Sequence, residues 1–296
     1  MIHVRVPATT ANLGAGFDCL GLALTLYNEV EAQPADDLSI IIEGEGAAEL
    51  PRDETNLVWR AARRVLARVG DGPPGVRLHL RNRIPMESGL GSSAAATVAG
   101  LLVGHALTGQ VLSQAELLEM AVAMEGHPDN VAPALLGGLM VAARDDDGRL
   151  LTSRVAIPPW HAVAVMPDFR LSTQAARRAL PDCVSLSDAV YNVGHAALTV
   201  VALQQGDVRL LAAAMTDRLH QPYRAPLVPG LQAALDAVRA QGVAAAISGS
   251  GPTVIAFVAD QGAAVGEVVV RAFARVGLAA RVWELTVAEG AEVRAG

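Results

Sequence analysis

Residues 84–97 read IPMESGLGSSAAAT. Gly89 and Gly91 carry no Cβ, so the chain there can turn sharply and let a ligand come close to the backbone. Ser92 and Ser93 stand where a helix begins, and the first N–H groups of a helix have no partner within it. The helix dipole adds partial positive charge at the same place. Several N–H groups aimed at one spot bind an anion, and phosphate is the commonest such anion. The serine hydroxyls could also reach a metal ion carried on that phosphate. The stretch is neither a Walker A loop, which ends in Gly-Lys-Ser or Gly-Lys-Thr, nor the dinucleotide-binding G-x-G-x-x-G. Taken alone, it also reads as an ordinary serine-capped turn from strand to helix.

Further chemistry-bearing residues lie downstream. Glu125 ends a helical stretch, where the dipole disfavours a carboxylate, and this places a metal role ahead of a structural one. His127, Asp129 and Asn130 follow within one turn. All 23 basic residues are arginine, so lysine is absent. Any phosphate or carboxylate must therefore be held by arginine, backbone N–H or metal, and arginine offers a two-pronged grip on oxyanions. Asp145 to Asp147, in DDDG, read as a solvated turn rather than a metal cluster. His3, His79, His105, His161 and His195 have no ligand-like spacing.

These residues need elements to hold them. Val4 and Val6 alternate as a short strand, and Leu38 to Ile42 is strand-like. Residues 55–68 have a helical apolar face with arginines opposite. Residues 76–83 alternate as a strand, and 92–107 read as a buried, alanine-rich helix. Ser113 and Glu116 form a capping box for a helix to about Met124. EGHPDNVAPALLGG (125–138) is too rich in Pro and Gly for regular structure. Residues 139–143 and 150–157 form a hairpin, and the domain boundary is placed near residue 150, dividing 1–150 from 151–296. Strands at 162–166, 244–248, 253–258 and 281–287 then interleave with helices after Ser172 and at 191–204, 208–219, 230–241 and 263–276. The class is α/β or α+β.

Length and composition bound the rest. The chain has 296 residues, 52% of them hydrophobic, and a net charge of −7. That charge argues against a nucleic-acid partner. No uninterrupted apolar run of about 18 residues suggests a membrane span, and MIHVRVPATTANLG lacks the apolar stretch of a signal peptide. Cys19 and Cys183 are too few for a disulfide framework, so a cytoplasmic protein is expected.

The glycine-serine loop becomes specific beside two other stretches. PMESGLGSSAA resembles the phosphate loop of the GHMP kinases. VPATTANLGAGFDCLGLAL (6–24) is similar to that family's N-terminal motif, and ISGSGPTVIAF (247–257) to its C-terminal glycine motif. Within the family, VPATTANLGAGFD, EGHPDNVAPALLGG, LSTQAARRALP and HQPYRAPLVPG are most similar to the branch that phosphorylates L-homoserine.

The resemblance implies an α+β, two-domain GHMP kinase fold. Its N-terminal domain would be like the second domain of ribosomal protein S5, and its C-terminal domain ferredoxin-like, with the site between them. It implies ATP and Mg²⁺, with the γ-phosphoryl passing to the hydroxyl of L-homoserine in threonine biosynthesis. Pro85, Met86, Glu87, Ser88, Gly89, Leu90, Gly91, Ser92, Ser93, Ala94 and Ala95 would wrap the ATP phosphates, Asn56 would touch adenine, and Ser93 and Glu125 would hold Mg²⁺. Asn12, Asp18 and Asn130 would bind the amino acid, Asp18 its ammonium. Thr173, Arg177 and Arg224 would fix its carboxylate or the transferred group. Asn130 stands where several family members have a catalytic aspartate, so transfer is expected to proceed without a strong base, Asn130, Arg177 and Arg224 being the catalytic residues. Asp129 and His127 remain candidate bases. A homodimer is expected by family. The competing readings are a kinase for another small alcohol, such as mevalonate, and a non-catalytic binding protein.

Overall fold

The computed structural model describes residues 1–70, 72–258 and 262–295. The chain opens with β1 (Ile2–Ala11) and the long β2 (Leu20–Ala35), which pair antiparallel with an irregularity between Pro7 and Ala8. In β1, burial alternates only as far as Arg5, and every later residue is buried. Alternation fades from the sequence where both faces of a strand are covered. β3 (Ser39–Gly44), α1 (Leu57–Val69) and β4 (Gly75–Asn82) follow, and β3 and β4 are parallel, as a helical crossover permits. α1 buries Val58, Trp59, Ala61, Ala62 and Val65.

Three helices come next: α2 (Ser92–Leu107), α3 (Gln114–Glu125) and α4 (Pro128–Leu136). The capping box of Ser113 and Glu116 is present on α3. α4 corrects the expectation of irregular chain up to Leu139. Proline is favoured at a first helical position, where Pro128 sits. Pro133 lies inside the helix and takes away the N–H that would bond to the Asp129 carbonyl. The hairpin of β5 (Leu139–Arg144) and β6 (Leu150–Val155) joins the first sheet through β2.

The remainder runs β7 (His161–Pro167), α5 (Thr173–Arg178), α6 (Leu186–Gln205), α7 (Val208–Ala214), α8 (Gln221–Arg224), a 3-10 turn (Ala225–Leu227) and α9 (Leu231–Arg239). β8 (Ala244–Ile247), β9 (Val254–Val258), α10 (Ala263–Ala274), β10 (Ala280–Thr286) and β11 (Glu292–Ala295) complete it. α6 begins at Leu186, five residues before the expected Tyr191, because Ser185 caps it. α7 stops at Ala214, not at Leu219. β11 was not anticipated, and it pairs with β1.

Two sheets result. The first has the order β11-β1-β2-β4-β3, with the β5–β6 hairpin attached to β2, and the second is β10-β7-β9-β8. Counted along the chain, the second sheet has strand order 4-1-3-2 with all neighbours antiparallel, the ferredoxin-like arrangement. One face of it packs Val163, Val165, Ile247 and Val254 against Leu231, Leu235, Val269 and Phe273. Its other face, through Ala162, Ala164, Ile255 and Phe257, belongs to the core that fills the first sheet and α1–α4. That shared core fixes the two sheets against each other, and the cleft opens at their junction.

Among the described residues one helix, α6, is long and apolar enough by length and composition to cross a bilayer. Its apolar sequence is broken by Asp188, Asn192 and His195.

Candidate active site

The loop between β4 and α2 is built by its backbone. Glu87, Gly89 and Gly91 take left-handed φ values of 51°, 81° and 71°. Ser88 is buried, and its hydroxyl donates to the Pro85 carbonyl at 2.7 Å and accepts from the Leu90 N–H at 3.1 Å. Gly91 occupies the N-cap of α2, and no side chain caps that helix. Its first N–H groups are thus free for a ligand, as the anion-site reading requires.

The loop does not stand alone. Ser248 donates its hydroxyl to the Gly89 carbonyl at 2.7 Å. The Thr253 N–H reaches Ser88, and the Gly249 N–H reaches Ala11. The Thr9 N–H donates to Leu90. Three stretches far apart in sequence therefore form one interlocked floor.

A cavity of about 550 Å³ lies over that floor, lined by residues from α1, the loop, α3, α4, α5 and α8. Within it are Asn12, Asp18, Glu87, Ser88, Gly89, Gly91, Ser92, Ser93, Ala94, Glu125, Asn130, Thr173, Arg177 and Arg224. Pro85, Met86, Leu90 and Ala95 support the loop and do not line the cavity. Asn56 does not reach it either. Its amide caps α1 through the Val58 N–H and donates to the Pro51 carbonyl, while its neighbour Leu57 faces the cavity. The DDDG turn lies at the β5–β6 hairpin, held by Asp145 accepting from Asp147 and Arg149 N–H groups.

One end of the cavity is a hydroxyl–carboxylate cluster. Ser93 and Thr97 donate to the same oxygen, Oε1, of Glu125 at 2.9 and 2.7 Å. The donors are hard oxygens, the set Mg²⁺ prefers, and Glu125 Oε2 is not drawn into those bonds. Ser93 and Glu125 thus fit a Mg²⁺ that takes its remaining ligands from phosphate and water.

The other end is a charged enclosure. Asn12 bridges the Asp18 N–H (3.0 Å) and the Gly249 carbonyl (2.8 Å). Arg177 grips Asp18 with both terminal nitrogens, at 3.0 and 2.8 Å. His127 Nδ1 lies 2.6 Å from Asp129 Oδ1, which also accepts from Asn130 at 3.2 Å. Thr9 donates to Asn130 Oδ1 at 2.7 Å. Burial opposes the charged form of His127, but the hydrogen bond to Asp129 and the charges of Asp129 and Asp18 outweigh it, so its pKa is raised. Asp18, His127 and Asp129 bring ligand atoms within 4.8 Å of one another. Arg177 and the His127–Asp129 bond already occupy them.

Arg224 is 2% exposed. It donates to the Gly249 carbonyl at 3.0 Å, yet its buried Nε has no partner. Burial and the neighbouring Arg177 charge press its pKa down to about 10, which leaves it cationic at neutral pH. A buried cation with an unpaired donor is costly unless an anion arrives.

Sequence reasoning missed Arg60, Arg64, Met124, Gly249 and Ser250 as lining residues. The two arginines read as the solvent face of α1. SGSGP was recognised as a motif but given no place at the site. The Asp18–Arg177 pair was also unforeseen: both were assigned separately to opposite ends of one ligand, and here they hold each other.

Comparison with known proteins agrees with this geometry. The profile described as "GHMP kinases N terminal domain" matches residues 56–138, and "GHMP kinases C terminal" matches residues 199–275. The homoserine kinase of Moorella thermoacetica is 47% identical over 284 residues, covering 95% of this chain and 96% of its own. That of Desulfitobacterium hafniense is 46% identical over 296 residues, covering 99% and 100%. Among solved structures, homoserine kinase from Cytophaga hutchinsonii superimposes with a TM-score of 0.88 at 33% identity, covering 99% of this chain and 97% of its own. Mevalonate kinase from L. major, at 17% identity and a TM-score of 0.71 over 96% and 95% of the chains, shares the fold.

Proposed function

The chain belongs to the GHMP kinases and, within them, to the homoserine kinases, and from this premise we propose a full assignment of its cleft. ATP and L-homoserine are its substrates, and O-phospho-L-homoserine and ADP its products, in threonine biosynthesis. Residues 85–95 cradle the phosphates, with the free N–H groups of α2 as donors. Ser93 and Glu125 hold Mg²⁺, which neutralises charge on the phosphates when bound. Asn12, Asp18, Asn130, Thr173, Arg177 and Arg224 receive the amino acid.

The observation that carries this reading is the buried, cationic guanidinium of Arg224 in an enclosure that also holds Asp18 and Asp129. A zwitterion satisfies both signs at once, its carboxylate against Arg224 and its ammonium against Asp18. An alcohol that is only an anion brings no cation to Asp18, which stays paired with Arg177. Arg177 then has two settings: paired with Asp18 in the free site, or shared with the ligand.

Transfer proceeds by positioning. An amide at 130 has no useful basicity, and His127 Nδ1 is engaged with Asp129 at 2.6 Å. A loose phosphoryl-transfer transition state needs little activation of the nucleophile. Asn130, fixed by Thr9 and Asp129, orients the hydroxyl, and Arg177 and Arg224 offset the charge carried by the transferred group. The hydroxyl proton leaves late, to the phosphate.

We also read the chain as a cytoplasmic homodimer. Its two cysteines are unpaired. Along α6, Leu186, Val190 and Val193 are 80%, 64% and 73% exposed, while Asn192 and Thr199 on the same helix are buried. A second copy covering that stripe accounts for its apolar character. A light-scattering mass of 30.6 kDa would remove the dimer.

The assignment is tested by coupled ADP release with Mg-ATP and L-homoserine, D-homoserine, L-threonine, L-serine or mevalonate. Turnover selective for L-homoserine is expected. Turnover with mevalonate alone would keep the phosphate loop and overturn the amino-acid pocket.

A further inference from the structure

Asp217 carries a carboxylate whose side chain is fully buried, outside the cavity. A buried carboxylate is tolerated only when its lone pairs are met. Here four donors meet it. Oδ1 accepts from Asn192 Nδ2 at 2.7 Å and from the Leu219 N–H at 3.0 Å. Oδ2 accepts from the His220 N–H at 2.9 Å and the Gln221 N–H at 2.6 Å. Three of the four donors are consecutive backbone groups leading into α8. Asp217 therefore shapes the entry of the short helix whose last residue is Arg224.

Asn192, from the middle of α6, is 3% exposed and uses every polar atom. Its amide donates to Asp217 and, at 3.2 Å, to the Ala15 carbonyl. Its oxygen accepts from the Arg218 N–H at 2.9 Å. His220 closes the circuit. Its Nε2 pairs with the Gly14 carbonyl at 2.8 Å, and its ring stacks on Phe17 with centroids 5.3 Å apart. The loop that ends in Asp18 and the helix that ends in Arg224 are some 200 residues apart in sequence, yet both are tied to one buried pair.

We propose that Asp217 and Asn192 are positioning residues that set the spacing between Asp18 and Arg224, and with it the fit of the amino acid. Neither touches substrate. The proposal rests on the assignment of Asp18 and Arg224 to the two charged ends of the ligand. It makes a specific statement about kinetics. Disturbing the pair weakens the amino-acid end of the site and spares the phosphate loop, which is held instead by Ser248, Thr253 and Thr9.

The test compares Asp217→Asn, Asn192→Ala and the exchange Asn192→Asp/Asp217→Asn. In Asp217→Asn an amide NH₂ faces backbone donors. The exchange restores one amide–carboxylate contact between positions 192 and 217. KM for L-homoserine, KM for ATP and the melting temperature are measured for each. Asp217→Asn is expected to raise the L-homoserine KM about tenfold or more, the scale of one charge-assisted hydrogen bond, with the ATP KM within about twofold. Asn192→Ala should do the same to a smaller degree, and it decides the matter if Asp217→Asn does not fold. The exchange should recover part of the loss. Lower melting temperatures with an unchanged L-homoserine KM, or equal rises in both KM values, would overturn the positioning role. Either result leaves the kinase assignment standing, so the two failures are distinct.

Discussion

Gly91→Ala tests the proposition that the phosphate loop and the acceptor site share one wall. Gly91 has a φ of 71°, and a Cβ built on it would lie 2.0 Å from Thr9 Oγ1 and 3.2 Å from Asn130 Oδ1. The left-handed conformation costs alanine about 1–2 kcal/mol. Thr9 must rotate away, giving up its 2.7 Å bond to Asn130, a loss of about 1 kcal/mol. Residual overpacking adds about 1–3 kcal/mol. The total, about 3–6 kcal/mol, is a large share of a typical folding free energy of about 5–15 kcal/mol. At about 2–4 °C per kcal/mol for chains of roughly this size, the melting temperature should fall by about 6–24 °C. Because the moved group is Thr9, the damage should reach the acceptor side as well as the nucleotide side, raising KM for L-homoserine and ATP together. A double-mutant cycle isolates the collision. Thr9→Ala removes the hydroxyl in the way, so Thr9→Ala/Gly91→Ala should be less damaged than the sum of the single variants by about 1 kcal/mol or more. Additive effects would show that Thr9 does not transmit the strain. A Gly91→Ala enzyme with wild-type melting and kinetics would refute the reasoning outright.

Other outcomes follow from the same geometry. Glu125→Gln keeps an oxygen for the Ser93 and Thr97 hydroxyls, so melting should move by less than about 2 °C, while the Mg²⁺ concentration for half-maximal turnover rises about tenfold or more; an unchanged Mg²⁺ titration removes Glu125 from the metal. Asp129→Asn should retain turnover within about tenfold of wild type if no strong base is used, whereas a loss of about 10³-fold or more with both substrates still bound would identify Asp129 as the base. His220 has its pKa lowered, first by burial and then by the Arg224 charge, against the opposing pull of Asp217. Its neutral form is the native one, so its contribution is complete above the unfolded value of about 6.5 and is lost as pH falls through the lower folded value. Thermal melts between pH 7.5 and pH 5 should show His220→Gln losing less stability over that interval than wild type, and parallel curves would count against it.

The parts of the fold that were legible are those whose pattern is local. α1 announces itself by an apolar face, α3 by a capping box, and β8 and β9 by short apolar runs around SGSGP. β2 lies in a stretch that reads without a clear strand signal, because both its faces are largely covered. β11 is four residues whose only reason to be a strand is the free edge of β1, at the opposite end of the chain. α4 was hidden by two prolines, one favoured at the first helical position and one inside the helix. At the site, residue types and motifs pointed to the loop, Glu125, Asp18, Asn130, Arg177 and Arg224, and the cavity is lined by the five named side chains and by part of the loop. Asn56 does not line the cavity, and its amide has a local use, capping α1.

What no local pattern carries is which assigned residues hold one another. Asp18 and Arg177 are 159 positions apart and form a two-pronged pair. The ligand must therefore compete with a bond already made, and the strength of its binding is a difference between two charge pairings rather than the sum of its own. Arg224 is the opposite case: among the described residues no carboxylate pairs with its guanidinium, which lines the cavity. The acidic end of the pocket is thus satisfied before substrate arrives and the basic end is not. On the proposed assignment, the amino-acid carboxylate meets Arg224, and the ammonium completes the fit only when Arg177 shifts its grip from Asp18, so selection for a zwitterion would reside in that exchange rather than in either residue alone.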